Sequence, residues 1–538
     1  MSSSTQSDSH LDALIIGAGF AGLYQLHSLR DRLGMRAQVL EAGDGVGGTW
    51  YWNRYPGARC DSESHSYMFY FDERLVQGWE WSQRYPGQPE ILRYLNFVTD
   101  TLDLRRDIRF NARVNGAEWD EAARLWRVRT EDGRQISARY LVSAVGCLSS
   151  ANLPQIAGLE DFQGDWYHTG QWPHEGVDFT GKRVGVIGTG ATGIQAIPVI
   201  AQTAAQVTVF QRTANYSIPA RNQPLTPEFK REIKENAPEI YATMRKATNG
   251  HAFLIDDRLA VATPEEDRQQ IYDKAWEVGG LRFRAVFKDI LVDQAANDTA
   301  ADYIKGKIRQ MVKDPKKAEV LADIDHPFAA KRPPIDTNYF DVYNRDNVDL
   351  VDLRATPIER ITQAGIRTSD QEHPLDIIVF ATGFDAMTGG LFKLNITGTD
   401  GRKLKDYWYA GPRTNLGLQV PGFPNLFTIT GPGSPSVLCN LPPQIEQHVE
   451  WITECLKTMR AKGADRIETT EDAAEQWGEE VERAARATLL FGVKHSWYLG
   501  ANVPGKPRVF MPYAGGFDRY QKICDQIAAD DYKGFAIS

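Results

Sequence analysis

Short apolar runs of strand length alternate with glycine-rich turns and amphipathic stretches along much of this chain, a pattern that predicts an α/β fold. Leu11–Ile16 has the continuous apolar character of a buried parallel strand. It is followed by Gly17-Ala18-Gly19-Phe20-Ala21-Gly22, helical periodicity over 23–33, and a second strand over Ala37–Leu40 that ends at Glu41. The order then repeats. Arg183–Ile187 reads as a strand, Gly188-Thr189-Gly190-Ala191-Thr192-Gly193 as the loop, 194–203 as a helix and 207–210 as the next strand. The fold class expected is therefore α/β, with two Rossmann-like dinucleotide-binding domains and a helical insertion.

The intervening patterns suggest how the domains are divided. Residues 105–150 form a short mixed region ending in an apolar run over 140–146, and a similar run over 375–384 also ends near glycine. Charged helical periodicity over 228–245 and 302–312, with Lys313-Asp314-Pro315 as punctuation, marks an insertion that either covers the active site or only stiffens the surface. A strand over 425–430 and a helix over 444–460 follow. The expected division is 1–150 and 384–538 for a first nucleotide domain, 151–224 and 331–383 for a second, and 225–330 for the insertion. Residues 1–10 read as a frayed polar tail.

Composition narrows the function classes. A chain of 538 residues exceeds one hydrophobic core, and 42% hydrophobic with 24% charged residues is an ordinary globular balance. The net charge of -9 argues against nucleic-acid binding. No apolar run reaches membrane-spanning length and no signal pattern opens the chain, so a cytoplasmic protein without membrane contact is expected, with a monomer as the default. Five widely spaced cysteines without a C-x-x-C offer no disulfide framework, no metal site and no dithiol redox centre.

The acids and bases after the second strands carry the chemistry. In each loop the first glycine permits the turn, the second lets the backbone approach a pyrophosphate, and the third lets helix and strand pack. Phosphates then meet free N–H groups at the helix start. Glu41 stands where a carboxylate accepts hydrogen bonds from a ribose diol, which fits FAD. The corresponding place in the second unit holds Gln211-Arg212-Thr213, where a cation and a hydroxyl suit the 2′-phosphate of NADPH; the alternative is that Arg212 is a solvated surface charge.

Phe162-Gln163-Gly164-Asp165-Trp166-Tyr167-His168-Thr169-Gly170-Gln171-Trp172-Pro173 matches F-x-G-x-x-x-H-x-x-x-W-P at every fixed position and lies just before the second glycine loop. In this the chain resembles the type I Baeyer–Villiger monooxygenases. The segment from Gly47 to Asp61, Ala381-Thr382-Gly383-Phe384-Asp385, and the run from Ser496 to Gly505 extend the resemblance over essentially the whole chain. It is nearest to the branch holding phenylacetone and steroid monooxygenases, and more distant from cyclohexanone monooxygenase. The resemblance implies oxidation of a ketone to an ester or lactone with NADPH and O2 through a flavin C4a-peroxide. It also implies a bulky aromatic, cyclic or steroid-like ketone.

The resemblance also assigns residues. Arg332, in Ala329-Ala330-Lys331-Arg332-Pro333, is the expected catalytic cation that stabilises the peroxide anion and the tetrahedral adduct; the bland reading is an ordinary salt-bridged arginine. Asp61 is expected to orient it from the FAD side. Gly17, Gly19, Ala21, Gly22, Glu41, Gly48, Thr49, Trp50, Tyr51, Trp52, Arg59, Cys60 and Tyr67 fall to the FAD site. Gly188, Thr189, Gly190, Ala191, Thr192, Gly193, Gln195, Arg212, Thr213 and Lys331 fall to NADPH, with Trp497 either beside the nicotinamide or packed in the core. Ser436, Val437, Leu438, Cys439 and Leu441 would line the substrate pocket, with Leu441 touching flavin as well. For Cys439 a buried inert thiol is the favoured reading over a pocket-facing one. Pro442-Pro443 departs from the phenylacetone-type loop and follows the cyclohexanone type. His168 and Trp172 are read as structural, or as coupling domain movement to turnover, rather than as acid–base catalysts. The competing readings are an N- or S-oxygenating flavoprotein monooxygenase and an NADPH oxidase that yields only hydrogen peroxide.

Overall fold

The computed structural model describes residues 10–538, so most of the expected polar tail, residues 1–9, lies outside the described residues. Two sheets organise the chain. In the first, Leu11–Ile16 pairs in parallel with Ala37–Leu40 on one side and Gln135–Ser143 on the other, and Ile108–Arg109 extends the Ala37–Leu40 edge. Leu426–Thr428, far along the chain, adds in parallel to Gln135–Ser143. The mixed region over 105–150 is an antiparallel meander, Val114–Asp120, Leu125–Thr130 and Gln135–Ser143, built on alternating buried and exposed side chains.

The second sheet is wholly parallel, with Val348–Asp352, Gln206–Gln211, Arg183–Ile187, Ile377–Phe380 and Asp165–His168 side by side. Its three central strands are buried on both faces, which is why they read as near-continuous apolar runs, whereas the two edge strands are partly exposed. Between the neighbours Gln206–Gln211 and Val348–Asp352 the chain makes the helical excursion. Its aromatic residues, including Tyr272, Trp276, Phe283 and Phe328, share one core with Val184, Val186, Val207 and Val209 of the sheet.

Several helices differ in their bounds from the sequence expectation, among them Gln294–Met311 and Leu441–Ala461, and three do so for an evident local reason. The two nucleotide-unit helices start earlier, at Phe20 and Ala191, because Gly19 and Gly190 act as their N-caps and the third glycine of each motif already lies in the first turn. The stretch over 228–245 is two helices, Pro227–Glu235 and Ala237–Lys246, because Pro238 can start a helix but cannot continue one. Residues near the C-terminus do not pack only on the first sheet: Ala485, Leu490, Tyr498 and Phe510 join Ala330, Val437 and the segments that follow one strand of each sheet, at Cys147 and Ala386, in a small core of their own. Among the described residues no helix is long and apolar enough to cross a membrane, and no cluster of side chains could hold a metal ion.

Candidate active site

The first glycine loop shows a cradle shaped for a ligand. Gly17 has φ 105°, and a Cβ there would sit 2.7 Å from the carbonyl oxygen of Ala144, so only glycine fits between the two strands. Glu41 is buried; its Oε2 accepts the Ala18 N–H at 2.7 Å and its Oε1 the Gly43 N–H at 2.8 Å. Burial raises its carboxyl above the usual range, and those N–H groups pull it back. Each oxygen keeps a second lone pair. Gly17, Gly19, Glu41, Gly48, Thr49 and Trp52 line one cavity of about 410 Å³. Trp50 is held by its Nε1 donating to the Tyr67 hydroxyl at 3.1 Å. The cavity suits an adenine dinucleotide whose ribose meets Glu41. Gly170 and Gln171 of the fingerprint also reach its wall, although they lie far along the chain from the glycine loop.

The second loop is open where a phosphate would sit: a Cβ at Gly190 would meet no atom within 4 Å. Beside it, Arg212 is exposed and Lys331 half-buried. Burial lowers the Lys331 ammonium and the Arg212 charge lowers it further, against the pull of Asp325. Two cations that feel one another, near an open glycine loop, suit a dianionic phosphate. Thr213 offers its carbonyl to the Thr189 hydroxyl at 3.0 Å.

Gln195, expected at the nucleotide, bridges the two units. Its Oε1 accepts from the Tyr55 hydroxyl at 2.8 Å, and its Nε2 donates to the Arg59 carbonyl at 3.0 Å. It thereby clasps the 55–59 loop of the first unit to the helix of the second. The Arg59 guanidinium donates to the Tyr85 carbonyl at 2.7 Å, which turns the chain so that Cys60 and Asp61 are buried next to it.

Asp61 and Arg332 meet. Arg332 Nε donates to Asp61 Oδ2 at 3.0 Å, and its Nη1 donates to the Val437 carbonyl at 2.9 Å. Burial alone would lower the Arg332 guanidinium, but Asp61 and Tyr498 outweigh it and raise it, so it stays charged. Burial pushes the Asp61 carboxyl up, and Arg332 draws it back. Asp61 Oδ1 is buried with no partner, a vacant acceptor at the place where the resemblance puts the flavin. Pro333 holds Arg332 out of helical conformation. Two non-glycine residues on either side of the contact, Ala329 at φ 61° and Ser436 at φ 44°, are left-handed, the kind of strain that clusters at functional sites.

The pocket segment follows directly. Ser436–Leu438 is one turn of 3-10 helix, and Leu441 opens the helix Leu441–Ala461. Burial raises the Cys439 thiol, which donates to Gln444 Oε1 at 3.1 Å and is thereby an inert group. Trp497 is half-buried against Tyr498, with ring centroids 4.5 Å apart. His168 ends the edge strand of the second sheet; its Nδ1 accepts the Gly170 N–H at 3.0 Å and its ring meets Phe384 edge-on. Burial lowers its imidazole, in keeping with a structural part. Arg284 and His251, which no motif marked, also lie here: the charges of Arg284 and Arg332 lower His251, beyond the effect of burial. Nothing in their local sequence could have singled them out.

Comparison with known proteins agrees with this geometry. Residues 14–280 match the family described as pyridine nucleotide-disulphide oxidoreductase. That match reflects the paired dinucleotide folds, because all five cysteines here are buried and free. A Baeyer–Villiger monooxygenase of Pseudooceanicola batsensis is 44% identical over 97% of this chain and 95% of its own length. A phenazine N-monooxygenase of Lysobacter antibioticus is 42% identical over 98% and 97%. A solved structure of oxidized steroid monooxygenase bound to NADP shares 51% identity and a TM-score of 0.94, covering 98% of this chain and 99% of that one. The chain belongs to the Baeyer–Villiger monooxygenase family of flavoproteins.

Proposed function

We propose that this chain oxidises ketones to esters or lactones at the Asp61–Arg332 site, using FAD, NADPH and O2. Bound FAD and NADPH supply the electrons and the activation of oxygen. FAD fits the cavity at Glu41, and NADPH fits the open loop at Gly190 with Arg212, Thr213 and Lys331. Arg332 donates to the ketone oxygen as it takes on negative charge, an interaction that strengthens toward the transition state. Asp61 and the Val437 carbonyl fix the guanidinium before substrate arrives. Ser436, Val437, Leu438 and Leu441 shape the pocket, and Trp497 covers its nicotinamide side. The single observation carrying this reading is the Asp61–Arg332–Val437 contact, which joins three distant segments.

A domain division at 150, 224, 330 and 383 is proposed, supported by the two returns of the chain, Val348–Asp352 to the second sheet and Leu426–Thr428 to the first. A monomer suffices, since one chain brings Asp61 and Arg332 together. Five unpaired thiols fit the reducing cytoplasm.

The phenazine N-monooxygenase relative favours one second reading, oxygenation of a ring nitrogen on the same scaffold. Gas chromatography–mass spectrometry separates the two. Purified flavoprotein with NADPH and air should convert members of a panel of phenylacetone, cyclohexanone, cyclododecanone and progesterone to esters or lactones. N-oxides from phenazines with no ester from any ketone would establish the second reading instead.

A further inference from the structure

One buried carboxylate connects the two partners of the Asp61–Arg332 contact by a second route. Glu63 lies two residues after Asp61. Backbone hydrogen bonds on either side of Asp61 fix this segment against residues 84–86. The Cys60 N–H donates to the Pro86 carbonyl at 3.1 Å, and the Ser64 N–H donates to the Arg84 carbonyl at 2.7 Å. Two guanidiniums close on the Glu63 side chain. Arg84 Nε donates to Oε1 at 2.9 Å; Arg282 Nη2 donates to Oε2 at 2.9 Å and its Nε to Oε1 at 3.3 Å. Burial raises the Glu63 carboxyl, but Arg282 draws it down to about 2, so it is ionised.

The two arginines belong to different parts of the chain. Arg84 precedes both sheets' crossover and reaches the helical excursion, where its Nη1 donates to the Val278 carbonyl at 2.6 Å, at the end of the helix Glu265–Val278. Arg282 lies within the excursion, in the turn Gly280–Ala285, and its guanidinium sits over the Phe253 ring, 4.8 Å from the centroid. The next residue, Phe283, is fully buried and meets Phe328 edge-on, with ring centroids 5.7 Å apart. Asn297 fixes Phe328 at both backbone groups: the Phe328 N–H donates to Oδ1 at 2.7 Å, and its carbonyl accepts from Nδ2 at 2.9 Å. Arg332 follows four residues later. From Glu63, then, one arm runs along the chain to Asp61, and the other runs through Arg282, Phe283 and Phe328 to Arg332. The arms meet where Arg332 Nε donates to Asp61 Oδ2 at 3.0 Å. One guanidinium balances one carboxylate; the second adds no charge balance and instead joins the excursion to the Asp61 segment.

We propose that Glu63 is a positioning residue for ketone oxidation, holding Arg84 and Arg282 together so that Arg332 stays in register with Asp61 during oxygen transfer. The inference rests on the ketone-oxidising reading and adds to it a residue that acts through Asp61 and Arg332.

The test uses the FAD enzyme as wild type, Glu63→Gln, Arg282→Gln and Arg282→Lys. Three quantities are read: the rate at which NADPH reduces the flavin, the ester formed per NADPH consumed with the best ketone of the panel, and hydrogen exchange of residues 328–336 with NADP+ bound, followed by mass spectrometry. In Glu63→Gln and Arg282→Gln, flavin reduction should stay near the wild-type rate and 328–336 should exchange faster. The ester yield should fall at least about tenfold, because moving a catalytic group by about 1 Å costs up to about a hundredfold. Arg282→Lys, which returns a cation to Glu63, should recover most of the yield. An unchanged ester yield or unchanged exchange in Glu63→Gln would overturn the proposal. So would a yield that falls only in step with flavin reduction, or a loss that Arg282→Lys does not repair, since either marks a general loss of structure. If Glu63→Gln does not retain flavin, Arg282→Gln decides on the same criteria, because that side chain is 38% exposed and its loss leaves Glu63 paired with Arg84. If the wild type makes no ester from any ketone, the ketone-oxidising reading fails by itself. Exchange at 328–336 then decides whether Glu63 holds Arg332 in place.

Discussion

Arg212 and Lys331 lie 119 positions apart in sequence, yet the charge of one depresses the ammonium of the other. Such a pair is unfavourable until an anion enters, so at a 2′-phosphate site it would favour NADPH over NADH. Arg212→Ala should raise the KM for NADPH by about tenfold to a hundredfold, the range of one charge-assisted hydrogen bond, and leave the KM for NADH nearly unchanged. Steady-state kinetics with both cofactors checks this. Equal effects on NADPH and NADH would place Arg212 outside the phosphate site. At this scale the sequence was most informative where backbone geometry forces the residue type. The glycines, Glu41 and Arg212 occur at fixed offsets because a phosphate and a ribose must fit between one strand and one helix.

Elements show the same contrast. The strands Leu11–Ile16, Ala37–Leu40 and Arg183–Ile187 have the bounds read from their apolar runs. Helix ends shifted where a glycine cap or Pro238 outweighed the periodicity. The helix Leu441–Ala461 shows what hydropathy alone conceals, since it buries charged residues along with apolar ones. Glu446 is almost wholly buried in it; Oε1 accepts the Tyr70 N–H at 2.7 Å and Oε2 has no partner. The Tyr70 ring in turn stacks on Tyr241 of the insertion helix Ala237–Lys246, and Arg245 of that helix pairs with Glu450 at 3.4 Å. Burial pushes the Glu446 carboxyl up to about 8 from an ordinary 4.5, against the Tyr70 N–H and with the Glu450 charge adding to the rise. The folded state therefore binds this proton more tightly than the unfolded chain. Its contribution to stability is full below the unfolded value and is lost as pH rises through the folded one. Thermal unfolding should accordingly show Tm falling by a few degrees between about pH 5 and 9, and Glu446→Gln should flatten that fall. An unchanged slope in the variant would mean that Glu446 is ionised throughout.

On the scale of the whole molecule, the two nucleotide sheets could be read separately from sequence, whereas their juncture could not. Gln195 clasps Arg59, the fingerprint brings Gly170 and Gln171 to the wall of the first cavity, and residues 485–511 pack on Cys147 and Ala386, just past a strand of each sheet. Asp61 and Arg332 are 271 positions apart, and no periodicity links them. Only the resemblance to a known family suggested their pairing, and the fold gives it a physical basis, because each sits in a loop that the other unit holds in place. If Arg332 is the cation on which oxygen transfer depends, its loss should separate the two halves of turnover. The measurement is the yield of ester per NADPH consumed, with phenylacetone or whichever ketone proves best, in wild type and Arg332→Ala. We predict that the variant still holds FAD and still consumes NADPH, its two electrons reducing O2 to hydrogen peroxide, with its ester yield reduced at least about a hundredfold. An Arg332→Ala enzyme that makes ester at the wild-type yield would contradict the account.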